Sequence, residues 1–115
     1  MKESYLLHRT FTFGVIVIKF LRTLPDTSDL KIIKYQLVKA ATSIGANYEE
    51  AQAGSSKADF INKVNISLKE AREANYWLRM IQALEVETTE LSDIIQESKE
   101  LKNILGTIVK NSREN

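Results

Sequence analysis

The side chains able to do chemistry are few in this sequence, and they fall mainly on two stretches. Asn47 and Glu50 stand three residues apart, as do Glu70 and Glu73, so carboxylates from two helices would converge if those stretches pack together. Inward carboxylates joined by Glu-x-x-His pairs make the di-metal centre of ferritin-like bundles. The one histidine, His8, has no Glu three residues before it. A carboxylate-metal enzyme is therefore the remote reading. The favoured one makes Asn47, Glu50 and Glu70 a hydrogen-bonded structural cluster that fixes helix register, because buried polar groups need partners.

No nucleophile and base pair suited to acyl transfer is visible, and a lone His on the first helix reads as surface or core filler. Gly54-Ser55-Ser56-Lys57 lacks the length and glycine spacing of a phosphate-binding loop and reads as a helix cap. Having no Cys excludes disulfides, thiolate zinc sites and cysteine nucleophiles, and fits a reducing compartment. The expectation is a protein without catalytic residues, metal or cofactor.

Binding chemistry is better represented. Lys69, Arg72, Tyr76 and Arg79 follow i, i+3, i+7, i+10 spacing and share one helical stripe, with Asn65 beside it. Cations interleaved with an aromatic ring can contact phosphates and stack on a base. Lys31, Lys34, Tyr35 and Lys39 form a looser version. The competing reading of both is a solvated helix face. Ile66 and Trp77 project away from the apolar seam of their helix, and Trp is enriched at interface hot spots, so these two are candidate oligomer contacts. Packing of Trp77 under the first helix is the alternative.

The elements that would position these residues are helices. A length of 115 residues fits one domain, and four Gly with one Pro argue against a turn-rich β fold. Four apolar-periodic segments predict an all-α, antiparallel up-down four-helix bundle, with helices at about 4–23, 27–53, 56–84 and 89–110. The stretch 11–20 alternates β-branched and aromatic residues and would favour a strand alone, but no second strand exists to pair with it. Leu30, Ile33, Leu37, Ala40, Ile44, Asn47 and Ala51 form a seam on the second helix, thinned by Ala41, Gly45 and Ala46. Ile61, Val64, Leu68, Ala71, Asn75 and Leu78 form one on the third. The second helix is expected to close at a left-handed Gly54, and the tail to fray from Asn111.

Thr10 to Ile18, the longest uncharged apolar run near the start, is far shorter than the ~20 residues a membrane helix needs. No signal peptide is visible, so a cytoplasmic protein without a membrane partner is expected. Residues 1–84 hold 12 Lys or Arg against 8 Asp or Glu, and residues 85–115 hold 4 against 7, so the fourth helix reads as acidic.

Three stretches carry a resemblance: SIGANYEEA from Ser43 to Ala51, SSKADF from Ser55 to Phe60, and KVNISLKEAREANYWL from Lys63 to Leu78. Together, across roughly residues 37–84, they resemble the four-helix-bundle proteins of intervening sequences in bacterial 23S ribosomal RNA genes, sometimes labelled S23 ribosomal proteins. By that resemblance Asn47, Glu50, Phe60, Glu70 and Trp77 are this chain's versions of the family's signature positions. The family is also similar to the accessory protein of diversity-generating retroelements, a ring-forming bundle that associates with a reverse transcriptase and nucleic acid. The resemblance implies a homo-oligomer, with a pentamer as the expected ring, without enzymatic activity, whose further partners are RNA or a nucleic-acid-processing protein. One departure stands out: the accessory proteins are strongly basic, whereas this chain has a pI of about 7.9. A purely protein-protein structural adaptor is the alternative function.

Overall fold

A computed structural model of the chain describes residues 2–84 and 88–114. The regular elements among them are four helices, α1 (Lys2–Leu21), α2 (Ser28–Gln52), α3 (Lys57–Ala83) and α4 (Thr89–Glu114), with no strand. The stretch 11–20 is helical despite its local β preference. Phe13, Val17 and Phe20 then fall on one buried face, and that burial outweighs propensity. Each such side chain contributes roughly 1.5–3 kcal/mol when fully buried.

Hydroxyl side chains begin the later helices. Thr27 caps α2 and Ser56 caps α3, where the Asp59 backbone N–H donates to Ser56 Oγ at 3.1 Å. The Asp59 carboxylate accepts from Ser55 Oγ at 2.9 Å, so the cap uses both serines. Thr88 serves α4, accepting from the Leu91 N–H at 3.0 Å. Two expectations at helix ends fail. Gly54 is not left-handed; it is needed for space, since a Cβ there would lie 3.2 Å from the Ala51 carbonyl oxygen. α4 continues past Asn111 to Glu114, because Val109 remains buried and the cation of Arg113 suits a helix C-terminus.

The packing is consistent with a bundle. α2 packs on α3, α3 on α4 and α1 on α2, while α1 meets α4 sparsely and lies diagonal to α3. Small residues set the closest approach: a Cβ at Gly45 would come within 3.2 Å of the Thr10 backbone, and Ala40 and Ala41 are fully buried. The core seam differs from the expected one at polar positions. Tyr48, 2% exposed, takes the inward place assigned to Asn47, which sits half-buried on the flank. Ser67 on α3 and Ser98 on α4, neither of them expected in the core, lie fully buried.

Candidate functional site

Lys69, Arg72, Tyr76 and Arg79 all lie exposed on the outer face of α3. Tyr76 is held on two sides. Its ring meets Trp77 edge to face at 5.1 Å, and the Arg79 guanidinium lies 5.9 Å from its centroid. Arg79 is itself oriented, since its Nε donates to Asn75 Oδ1 at 2.9 Å while Asn75 Nδ2 donates to Ser98 Oγ on α4 at the same distance. Ser98 in turn donates to the Ile95 carbonyl at 2.6 Å. A relay rooted in α4 thus fixes one end of the stripe. Among the described residues Lys69, Arg72 and Arg79 make no salt bridge, which leaves their charges available to an external anion.

The looser stripe on α2 loses a member. Lys34 Nζ donates to the Leu24 carbonyl at 2.7 Å and pairs with Asp26 at 2.9 Å, so it fastens the connection between α1 and α2. The structure does not join Asn47, Glu50 and Glu70 by hydrogen bonds among the described residues. Asn47 Nδ2 donates to the Ser43 carbonyl one turn back at 2.9 Å, and Glu50 is exposed. Glu70 is half-buried, and that burial, reinforced by Glu73 and opposed by Lys69 and Lys39, pushes its carboxyl above the ordinary range. The polar tie between α2 and α3 is instead Ser67, whose hydroxyl donates to the Ile44 carbonyl at 2.7 Å.

Of the two candidate contact residues, Ile66 is exposed, whereas Trp77 is half-buried against its own core. Its Nε1 is buried with no hydrogen-bond partner among the described residues. Because α1 lies diagonal to α3, it does not cover Trp77, and the alternative of packing beneath the first helix falls away.

Two features escaped the sequence. Phe11, 68% exposed, borders with Val15 and Ile18 a depression of about 400 Å³ between α1 and α2, floored by Gly14 and Gly45. The surplus of apolar residues on α1 was the available signal. Arg9 bridges the sparse α1/α4 seam: its Nε and Nη2 donate to the two Glu97 carboxylate oxygens at 2.6 Å each, and Nη2 also reaches Glu100 at 2.7 Å. No spacing announces a contact between residues so distant in the chain. Among the described residues no group of three or more His, Cys, Asp or Glu is placed to hold a metal ion, and no helix is long and apolar enough to cross a membrane.

A family model described as 23S rRNA-intervening sequence protein matches residues 2–107. The chain belongs to this family. It is also similar to a solved structure from Bacteroides thetaiotaomicron, a protein of unknown function from the S23 ribosomal protein family. The two share 36% identity with a TM-score of 0.85, over 96% of this chain and 99% of that one. No curated protein matches the chain. Membership in the 23S rRNA-intervening sequence family thus extends over α1 and most of α4, well beyond the motifs in residues 37–84. The five signature positions do not meet at one point: Phe60 borders a 620 Å³ cavity with Tyr5, Leu6 and Ile104, while Asn47 and Trp77 flank the seams of α2 and α3.

Proposed function

We propose that this protein is a non-catalytic, homo-oligomeric binding scaffold of the cytoplasm, whose α3 stripe engages RNA or a nucleoprotein partner. The observation that carries the reading is the stripe itself. Lys69, Arg72 and Arg79 stand exposed and, among the described residues, free of carboxylate partners, around a Tyr76 ring held by Arg79 and Trp77. Unpaired cations beside a half-exposed ring suit a strand whose phosphates are neutralised and whose base stacks. Replacing Lys69, Arg72 and Arg79 together by Gln tests it. Loss of salt-dependent RNA binding with helicity intact is expected, and unchanged affinity refutes it.

In this reading the bundle is antiparallel and up-down. In support, the Thr10 backbone lies at Gly45 while Gly14 lies at Ala41, and Asn75 meets Ser98 while Leu68 approaches Gly106. A closed ring, such as a pentamer, needs two unlike patches per protomer. Phe11 with Val15 on α1 and Ile66 on α3 supply exposed apolar candidates for the two. The exposed Phe11 also favours a second reading, a protein-protein adaptor that binds no nucleic acid. Phe11→Glu is expected to shift the mass measured by light scattering toward the monomer, and an unchanged mass would remove α1 from the subunit contact.

A further inference from the structure

The fourth helix is acidic in sequence, but its charges are sorted by face. Glu97 and Glu100 bond Arg9 of α1, and Glu90 and Asp93 border a depression shared with Phe13 and Ile16 of α1. Glu85 and Glu87, two of the acidic residues of the C-terminal segment, lie outside the described residues. The cations point the other way. Lys102, Lys110 and Arg113 line two adjoining depressions of about 410 and 480 Å³ along the α3/α4 groove, where Arg72 of α3 forms the opposite wall. Glu114, at the last turn, is the single carboxylate among the described lining residues.

The floor of this groove is Gly106, and packing does not require glycine there. A Cβ would meet nothing closer than Leu68 Cδ1, at 3.9 Å. Glycine inside a helix costs stability relative to alanine, and here it leaves an open floor between four cations at a position the core does not constrain. A positively charged groove that tracks one backbone is the arrangement that suits a single nucleic-acid strand. Asn65, Asn103 and Thr107 add neutral polar groups to the walls.

We propose that the α3/α4 groove, walled by Arg72, Lys102, Lys110 and Arg113 over Gly106, seats a single phosphodiester strand, with α4 supplying most of the phosphate contacts. The proposal rests on the reading that α3 faces nucleic acid, and it moves the centre of binding from the α3 stripe into the groove beside it. Arg72 belongs to both.

The test is fluorescence anisotropy with labelled 20-mers of U and dT and a labelled duplex, titrated at several salt concentrations. The proteins are wild type, Lys102/Lys110/Arg113→Gln, Lys69/Arg79→Gln and Gly106→Leu, each checked for helicity by circular dichroism. Each phosphate neutralised on a single strand contributes about 0.7 to the slope of log K against log salt, so the triple variant should lose about two units of slope. Gly106→Leu keeps every charge but fills the floor, and more than tenfold weaker binding is expected. Comparable binding of U and dT would identify the phosphodiester chain as the ligand, and preference for U would add contacts to the 2′-hydroxyl. If the triple and Gly106→Leu bind like wild type while Lys69/Arg79→Gln does not, the groove is refuted and the stripe survives. Tighter binding of the duplex also overturns the proposal. No binding of any probe refutes groove and stripe together.

Discussion

Replacing Arg9 by Met should destabilise the bundle by about 2 kcal/mol, because this one side chain ties α1 to α4 where their packing is thinnest. The substitution keeps most of the apolar stem and removes the fork. The arm to Glu97 consists of two parallel charge-assisted bonds of 2.6 Å, with side chains 19% and 29% exposed. Bonds to charged groups contribute about 1.5–3 kcal/mol, and solvent screening at this exposure favours the lower part of that range. The arm to Glu100, with a carboxylate side chain 49% exposed, adds little. For a chain of this size about 2 kcal/mol corresponds to a melting point roughly 6–10 °C lower. Thermal and urea unfolding would measure it, and 1 M NaCl should narrow the difference without closing it. A cycle with Glu97→Gln should return a coupling of about 1–2 kcal/mol. An Arg9→Met variant melting within about 1 °C of wild type, a change smaller than ~0.5 kcal/mol would cause, would show that the clamp does not hold the seam.

Three further outcomes follow from the packing. Trp77→Phe removes an indole N–H that has no acceptor among the described residues, a group costing about 1–3 kcal/mol when buried; its denaturation midpoint should equal or exceed that of wild type, whereas a loss above ~2 kcal/mol would mean the N–H is bonded. Glu70 has its carboxyl raised by burial, so the folded state favours the protonated form and stability falls as pH rises through that raised value. Glu70→Gln should therefore be more stable than wild type at pH 7, by less than about 1 kcal/mol given its exposure, and flatter with pH above the ordinary carboxylate range; a variant less stable at pH 7 contradicts the sign. Gly45→Leu would drive a side chain into the Thr10 backbone and should cost about 1–3 kcal/mol in urea unfolding, and a neutral result would mean α1 can move away freely.

Much of the fold was legible because it rests on periodicity. Leu30, Ile33, Leu37, Ala40 and Ile44 read as one seam and are buried together. The cap at Ser56 followed from the serines ahead of an apolar run. What periodicity cannot resolve is which of two adjacent residues turns inward: Tyr48 rather than Asn47 enters the core, since a ring buries more surface than an amide. Small hydroxyls were overlooked for the same reason. Ser67 and Ser98 are buried because each can donate to a backbone carbonyl, of Ile44 and Ile95 respectively, which removes the cost of burying them.

The candidate site was half legible. Spacing placed Lys69, Arg72, Tyr76 and Arg79 on one stripe, and all four are exposed. The net charge of the C-terminal segment hid the cations of α4, because a sum over sequence does not record which face each charge occupies. Only the pairing of Glu97 and Glu100 with Arg9 separates the acidic edge from the basic one. That long-range contact was invisible in the sequence, and it leaves Lys102, Lys110 and Arg113 beside Arg72 along the opposite edge.

The measurement that bears most directly on the scaffold reading is an anisotropy titration of a labelled structured RNA with the wild-type protein, at low and at physiological salt. Binding that weakens steeply between the two, with a log-log slope of at least about 2 in magnitude, is the predicted result, since three or more phosphates should be met. Absence of binding at both salts would contradict it and leave the exposed faces of α1 and α3 to a protein partner.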